Sequence, residues 1–134
     1  MDIVGIGTHL VECHRIRRLI ERHAEVFLTR YYTSREISDC NSSTHTTEQF
    51  ASRWAAKEAV LRCVGLSNRR LAFTDIEIRL DRNGQARVAV CGAVKDHLQT
   101  VRIGSILLSL SQTRLYAVAF AIALRLPPPP DLLG

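Results

Sequence analysis

One stretch in the middle of the chain decides the fold, and it reads Arg53-Trp54-Ala55-Ala56-Lys57-Glu58-Ala59-Val60-Leu61-Arg62-Cys63-Val64-Gly65. Its composition predicts a helix that is apolar on most of its surface, and such helices are normally buried. Charged side chains inside a buried helix need partners or a function. The combination indicates a site for an anionic ligand, a metal ion or both.

The pattern around this stretch predicts a long helix from Glu48 to Val64. Thr46 and Gln49 have the spacing of a capping box, in which two side chains satisfy backbone groups at the start of a helix. Gly65 is a natural stop, because glycine readily adopts the left-handed conformation that ends many helices. A basic, polar loop is expected from Ser67 to Arg70.

The rest of the chain predicts short strands and helices in the order β-α-α-α-β-β-α-β-β. Alternation of period two and the turn Asp81-Arg82-Asn83-Gly84 predict a β-hairpin. Because the predicted strands are joined by short antiparallel connections, the fold class is α+β, with an antiparallel sheet packed on the long central helix. The predicted strands are Ile3–Gly7, Ile76–Leu80, Ala86–Val90, Ile106–Ser111 and Tyr116–Leu124, and the other helices are Val11–His23, one from the Thr33/Glu36 capping box to Cys40, and Gly92–Val101.

Length and composition predict one domain over residues 1–126 and a Pro-rich tail over 127–134. The chain has 134 residues, of which 46% are apolar, and no run approaches the length of a membrane span. No secretory leader pattern is recognisable, so we expect a cytoplasmic protein without a membrane partner. The scattered cysteines Cys13, Cys40, Cys63 and Cys91 are expected to be reduced, small buried side chains. The net charge of +5 favours an acidic partner or a polyanionic ligand.

Two interpretations remain open for Glu58 and its neighbours. Glu58 precedes Arg62 by four residues, which is the spacing of an ordinary helix ion pair. Alternatively, a half-buried carboxylate beside cations can hold a divalent ion that bridges phosphates. Arg53 and Lys57 are also four residues apart, where like charges repel unless an anion lies between them. They are either solvated surface cations or a phosphate site.

Two further sets of residues are candidates on weaker grounds. His9 follows the first strand directly, where a histidine is structural or solvent-facing more often than it is a ligand. The first helix carries Arg15, Arg17, Arg18 and Arg22. That set is either a solvated helix face or a surface for an acidic partner helix.

At this point the residues resemble a known family, the holo-acyl-carrier-protein synthases, which are 4′-phosphopantetheinyl transferases. The resemblance covers roughly residues 3 to 124 in five ordered matches, of which the segment from Trp54 to Ala59 is especially specific. The matching segments are Gly5-Ile6-Gly7-Thr8-His9-Leu10-Val11-Glu12, Tyr32-Thr33-x-x-Glu36, Arg53-Trp54-Ala55-Ala56-Lys57-Glu58-Ala59, Phe73-x-Asp75-Ile76-Glu77-Ile78 and Leu108-Ser109-Leu110-Ser111-Gln112-Thr113-x-x-Tyr116-Ala117.

The resemblance implies a reaction and an assembly. The 4′-phosphopantetheine group of coenzyme A would be transferred to a serine of apo acyl carrier protein, releasing 3′,5′-ADP, as a step that serves fatty acid biosynthesis. It also implies a homotrimer with active sites between neighbouring subunits, and a Mg²⁺ ion on the pyrophosphate.

The resemblance also assigns roles to individual residues. Glu58 and Lys57 would be catalytic, and His9 and Glu58 would hold the metal. The basic first helix would bind the acidic carrier protein through Arg15, Arg18 and Arg22. The coenzyme A contacts would be Arg53, Lys57, Arg62, Gly65, Ser111 and Gln112.

Two positions depart from the family pattern. His9 stands where the family has a metal-binding Asp, and Gln112 stands where it has His. Imidazole suits Mn²⁺ or Zn²⁺ better than Mg²⁺, and Gln can donate a hydrogen bond to phosphate but cannot act as a base. The alternative is therefore a weakened or inactive paralogue that binds coenzyme A or carrier protein. A basic nucleic-acid binder is not expected, because the few aromatic residues have the pattern of a core.

Overall fold

The computed structural model describes residues 2–67 and 73–127. The fold is α+β, as predicted. The strands are β1 (Ile3–Glu12), β2 (Ile76–Leu80), β3 (Ala86–Val90), β4 (Ile103–Gln112) and β5 (Tyr116–Arg125), and the helices are α1 (Cys13–Tyr31), α2 (Ser34–Asn41), α3 (Thr46–Cys63) and α4 (Gly92–Thr100). A 3₁₀ turn, Phe73–Asp75, precedes β2. The predicted tail, apart from Pro127, and most of the predicted loop at 67–70 lie outside the described residues.

The strands form two antiparallel sheets. A three-stranded sheet has the order β1-β5-β4, and β2 and β3 form a separate hairpin. In the larger sheet β5 lies in the centre, so that His9 of β1 and Leu110 of β4 both pair with Ala119. Residues directly opposite one another in an antiparallel sheet project to the same face. His9 therefore shares its face with Ala119, which is fully buried.

Helix α3 lies across the inner face of this sheet at very close range. A Cβ atom added at Gly5 would lie 2.0 Å from the carbonyl oxygen of Cys63, and one at Gly7 would lie 2.0 Å from that of Ala59. Because Gly5 meets Cys63 and Gly7 meets Ala59, strand and helix run in opposite directions. The central strand adds four fully buried alanines to the same surface, Ala117, Ala119, Ala121 and Ala123. Small side chains on the sheet thus allow the helix backbone to touch it.

The first helix is longer than the sequence predicts. It continues past His23 to Tyr31, across a break at Ala24 with φ 43° and ψ −123°. The second half buries Phe27 and Leu28 in the core. Packing of these two side chains outweighs the local cost of an alanine in a conformation that favours glycine.

One capping box is confirmed and the other is wrong. The Thr33 hydroxyl accepts from the Glu36 backbone N–H, and the Glu36 carboxylate accepts from the Thr33 backbone N–H. At the start of α3, however, His45 is the N-cap and makes no side-chain cap hydrogen bond. Thr46 instead donates its hydroxyl to the Ser43 carbonyl oxygen. Gly65 follows α3 with φ +80°, so the predicted stop is confirmed.

The close contact between β1 and α3 is tested by replacing Gly7 with alanine. We expect Gly7→Ala to lower the free energy of unfolding by about 3 kcal/mol, because the new methyl group would overlap the Ala59 backbone and force the helix away. The control is Gly84→Ala in the hairpin turn, where φ is +78° and no atom lies within 4 Å of the added Cβ. That variant loses only about 1 kcal/mol of backbone strain energy. The free energy of unfolding is measured by urea denaturation at one protein concentration. Equal losses in Gly7→Ala and Gly84→Ala would contradict the close contact between β1 and α3.

Candidate functional site

Strand β1, helix α3 and the first turn of α1 bring a histidine, a carboxylate and two guanidinium groups together. His9 is half-buried on the helix-facing side of β1, and Glu58 is half-buried on α3. Arg62, one turn after Glu58, donates from Nη1 to the Thr8 carbonyl oxygen at 3.2 Å. The charges of Glu58, Arg62 and Arg15 all act on the His9 ring. The predicted metal pair is therefore close enough within one subunit for the two side chains to interact through their charges.

The Glu58 carboxylate does not form the ordinary helix ion pair with Arg62. Within residues 2–67 and 73–127, Glu58 takes part in no ion pair within 4.0 Å. Arg62 turns to the β1 backbone instead, as its bond to Thr8 demonstrates. A half-buried carboxylate without a cationic partner is available to bind a ligand.

The surroundings of His9 favour its neutral form. Burial lowers the pKa of the His9 imidazole below its usual value of 6.5, the Glu58 carboxylate raises it, and Arg62 and Arg15 lower it. A neutral imidazole has a free ring nitrogen lone pair, which is the form that binds metal ions. No hydrogen bond to the His9 ring was found among the described residues, so its donor atom is not already engaged.

The donor set of this corner fits a divalent ion that obtains most of its ligands elsewhere. In the described part of the chain, no group of three or more His, Cys, Asp and Glu side chains could enclose a metal ion. His9 and Glu58 supply one nitrogen and one carboxylate. Ions at phosphate-transfer sites are commonly held by one or two protein groups together with substrate phosphates and water. These two residues fit that arrangement.

Lys57 is not part of this corner, although it precedes Glu58 in the sequence. Its side chain is fully buried, and its ammonium Nζ lies 2.6 Å from Oε1 of Glu36, which is also fully buried. Nζ further donates to the carbonyl oxygens of Tyr31 at 2.7 Å and Phe73 at 3.1 Å. The prediction that Lys57 is catalytic and contacts coenzyme A phosphates does not agree with this geometry, because every donor position faces the subunit interior.

The Glu36 carboxylate is equally well satisfied. It accepts from the backbone N–H groups of Thr33 and Ile78, each at 2.8 Å, in addition to Lys57. Burial lowers the pKa of Lys57, and the charge of Glu36 and its hydrogen bond raise it. Together the pair ties α2, α3, the end of α1 and strand β2 to one another. Glu36 was identified from the sequence only as a capping residue, since nothing in the local spacing indicates a partner 21 residues away.

The structural role of Lys57 is tested by comparison with Lys95, which is exposed on α4. We expect Lys57→Met to lower the free energy of unfolding by about 3–5 kcal/mol, because it leaves Glu36 as an uncompensated buried charge. Lys95→Met is expected to change it by less than about 0.5 kcal/mol. The affinity of the folded Lys57→Met protein for coenzyme A is expected to be unchanged. If Lys57→Met lost affinity for coenzyme A while its stability stayed unchanged, the predicted contact between Lys57 and phosphate would be supported instead.

Arg53 is buried yet lacks an acidic partner in the described part of the chain. Its residue is 3% exposed, Nη1 donates to Oε1 of Gln49, and Nε has no hydrogen-bond partner there. Gln49 in turn lines a cleft of about 170 Å³ with Ser52, Ser111 and Gln112. A guanidinium without a compensating charge beside polar side chains suits an anion. Sequence reasoning missed Gln49 and Ser52, because only the tertiary fold brings them to Ser111.

The two groups of predicted coenzyme A contacts lie on different strands of the sheet. His9 is on β1 and Gln112 is on β4, with β5 between them. Two strand spacings and an offset of two residues along β4 separate their backbones by about 12 Å. His9 and Glu58 do not line the cleft that Ser111 and Gln112 form. A single subunit therefore presents two separate half-sites, and Gly65 is exposed at the end of α3.

The predicted partner-binding arginines form an exposed surface on α1. Arg15, Arg18 and Arg22 line a shallow groove of about 310 Å³ with Leu19, before the break in the helix. No ion pair within 4.0 Å was found for these three arginines among the described residues. Their uncompensated charge makes this face of α1 strongly basic.

Comparison with known proteins agrees with the fold. The sequence matches the family model of the 4′-phosphopantetheinyl transferase superfamily over residues 5–121. A holo-[acyl-carrier-protein] synthase from Rhodopirellula baltica is 36% identical over 122 residues, which cover 91% of this chain and 98% of that protein. The chain therefore belongs to the 4′-phosphopantetheinyl transferase superfamily.

Solved structures with the same fold support this membership. The holo-ACP-synthase from Plasmodium yoelii superposes with a TM-score of 0.82 at 28% identity, covering 94% of this chain and 98% of that one. A holo-(acyl-carrier-protein) synthase from Bacillus anthracis, solved in complex with CoA (3′,5′-ADP), superposes with a TM-score of 0.73 at 29% identity, covering 90% and 96%. In the described residues of the present chain, no helix is both long enough and apolar enough to cross a membrane.

Proposed function

We propose that this protein is a holo-acyl-carrier-protein synthase, which transfers the 4′-phosphopantetheine group of coenzyme A to a serine of apo acyl carrier protein. Membership of the superfamily supports the reaction class. The observation that carries the assignment for this chain is the half-buried Glu58 carboxylate, which lies near enough to His9 to act on its charge and has no ion-pair partner within residues 2–67 and 73–127. We place the reaction in the cytoplasm, the location predicted from the sequence.

The chemistry is a displacement at phosphorus. The serine oxygen forms a bond to the β-phosphorus of coenzyme A, the bond from that phosphorus to the bridging oxygen breaks, and 3′,5′-ADP leaves with the bonding electrons. The serine proton must pass to a base. Catalysis of such steps depends on positioning and on stabilising the charge of the phosphoryl oxygens.

We assign the chain's residues to these tasks according to their surroundings. Glu58 orients the serine hydroxyl and accepts its proton, because the carboxylate is half-buried and forms no ion pair with any residue that the structure describes. Arg62 contributes positive charge beside it, since its guanidinium is held at the β1 backbone by Thr8. Ser111 and Gln112 bind phosphate groups from the other half-site, and the buried Arg53 adds positive charge behind them through its hydrogen bond to Gln49. Lys57 positions α3 and is left out of the phosphate contacts.

A divalent ion would be held by His9 and Glu58. When bound, such an ion neutralises charge on the pyrophosphate and thereby favours the transition state. Mg²⁺ is the ion implied by the family resemblance, and Mn²⁺ is compatible with the same two residues.

The assignment is tested by mixing the protein with coenzyme A, an apo acyl carrier protein and Mg²⁺ or Mn²⁺, and measuring the mass of the carrier. We expect the carrier to gain one phosphopantetheine. Glu58→Gln is expected to slow the transfer on the order of 100-fold or more, the scale of losing one transition-state contact. Glu25→Gln, which removes an exposed carboxylate on α1, serves as the matched control and should leave the rate unchanged.

The same assay separates the alternative function, a paralogue that binds without catalysis. His9 and Gln112 motivate it, because His9 lacks the negative charge of the Asp in the family pattern and Gln112 lacks the basicity of the His. Absence of transfer with either ion, followed by gain of transfer in the double variant His9→Asp/Gln112→His, would support loss of catalysis. High transfer activity of the native chain would exclude a paralogue that binds without catalysis.

The acidic carrier protein is proposed to bind the exposed arginines of α1. They form no ion pair within 4.0 Å among the described residues, although Glu12 lines the same groove, and the net charge of the whole chain is +5. Complementary charge accelerates encounter and orients the partner more than it raises affinity. The position of these arginines on the helix that directly follows β1 brings a bound carrier close to His9, since Arg15 acts on the His9 ring.

Charge reversal on α1 tests this surface. Arg18→Glu/Arg22→Glu is expected to raise the KM for carrier protein at least about tenfold with little change in the KM for coenzyme A. The difference from the native enzyme should shrink as salt is raised, because exposed charges are screened. The control is Arg82→Glu/Arg87→Glu on the β2–β3 hairpin, which changes the total charge equally. An equal effect of both pairs would refute a specific carrier surface on α1.

We further propose that three copies assemble through the outer face of the larger sheet. Ile6, Leu10, Leu107 and Phe120 project from this face and are 52% to 63% exposed. Exposed apolar patches of this kind mark interaction sites in soluble proteins. Association through this face would bring copies together next to both half-sites. Leu10 is the neighbour of His9 in the chain, and Leu10 and Ser111 both pair with Val118 of the central strand.

The assembly is tested with Phe120→Glu, in the central strand of this face. We expect the variant to be monomeric by sedimentation at a concentration where the native protein is a trimer, because three carboxylates would be buried without partners. It should also lose transfer activity. Val26→Glu provides the control, since Val26 is 72% exposed on α1. A trimeric Phe120→Glu protein would exclude the outer face as the interface.

A further inference from the structure

We propose that the His9 imidazole makes this site select a divalent first-row transition ion over Mg²⁺. The inference rests on the proposed transfer reaction, since it concerns the ion at the same site. It deepens that proposal by naming the residue that determines which ion is used.

The two donors are held in place by the contact between β1 and α3. Gly7, two residues before His9 on the same strand face, touches the backbone of Ala59, which follows Glu58 directly. The ring of His9 and the carboxylate of Glu58 are therefore set by backbone packing rather than by mutual bonds. Neither side chain is engaged elsewhere in the described chain, so both can turn toward one ion.

The chemistry of this pair discriminates between ions. Mg²⁺ prefers oxygen ligands in a strict octahedron and seldom accepts a nitrogen in exchange for water. First-row transition ions such as Mn²⁺, Co²⁺ and Zn²⁺ bind imidazole more readily. For Mg²⁺ the protein part of this site is one carboxylate, whereas for Mn²⁺ it is a carboxylate and an imidazole. The His9 nitrogen thus adds affinity for one class of ion only.

The surrounding charge does not provide the same discrimination. Arg62 and Arg15 lie close enough to act on His9, and they repel every divalent cation alike. Their charge is offset when an anionic diphosphate occupies the site. We therefore expect ion binding to be strong only with coenzyme A present, and the selectivity must be measured in that complex.

The test is Mn²⁺ binding to the native protein with coenzyme A, followed by electron paramagnetic resonance. Pulsed measurements on protein labelled with ¹⁵N-histidine should detect coupling between Mn²⁺ and one histidine nitrogen, which the label distinguishes from the adenine nitrogens. Mg²⁺ should displace this Mn²⁺ poorly. In His9→Asp the ¹⁵N coupling should vanish, and the Mg²⁺ concentration needed for half-displacement should fall at least about tenfold.

The control is His23→Gln, which removes an exposed histidine of α1 and should retain both the coupling and the selectivity. Bound Mn²⁺ without ¹⁵N coupling, equal Mg²⁺ competition in native and His9→Asp proteins, or no Mn²⁺ binding with coenzyme A would each overturn the inference. These outcomes are independent of the carrier mass assay. Transfer without ion selectivity overturns this inference alone, and histidine-bound Mn²⁺ without transfer overturns the proposed function alone.

Discussion

The contact between the backbones of β1 and α3 is the constraint on which the rest of this structure depends. It is possible only because Gly5 and Gly7 have no Cβ, which in either case would lie 2.0 Å from a helix carbonyl oxygen. The alanines of β5 extend the same smooth surface under the helix. One consequence is a well-packed small core, and the other is that His9 and Glu58 lie near enough to interact through their charges.

Two adjacent residues of α3 illustrate how a nearly fully buried helix uses its charges. Lys57 points into the subunit, where Glu36 and two carbonyl oxygens satisfy its ammonium group. Glu58 points toward β1 and has no ion-pair partner in the described residues. A buried pair such as Lys57–Glu36 adds little net stability but is costly to break. It holds α1, α2 and β2 around α3, and so leaves the Glu58 carboxylate in a fixed position for chemistry.

Much of the fold could be predicted from sequence, for identifiable reasons. The β2–β3 hairpin follows from its alternation and its Asn83-Gly84 turn, and the end of α3 follows from Gly65. The continuation of α1 past Ala24 could not be predicted, because burial of Phe27 and Leu28 overrides an unfavourable local conformation. The predicted capping box at the start of α3 is wrong, because the Gln49 side chain accepts a hydrogen bond from Arg53 and does not cap the helix.

The site was predictable in part. Glu58, Arg53 and Arg62 are prominent because charges stand out in an apolar helix, and in the part of the chain that the structure describes neither Glu58 nor Arg53 has an oppositely charged partner within 4.0 Å. Periodicity alone could not separate Lys57 from them, because its partner Glu36 is distant in sequence. Cys91 likewise departs from the predicted burial of the cysteines, and it is exposed next to Asp75, whereas Cys13, Cys40 and Cys63 are buried.

The central claim is that Glu58 and His9 together bind the metal ion and the diphosphate of coenzyme A. The most direct measurement is a crystal structure of the protein with coenzyme A and Mn²⁺, using the anomalous scattering of the ion. We expect one anomalous peak per subunit in contact with the His9 ring, the Glu58 carboxylate and the pyrophosphate, with Ser111 and Gln112 contributed by a neighbouring copy. A peak remote from Glu58, or coenzyme A bound with its phosphates away from this carboxylate, would contradict the account.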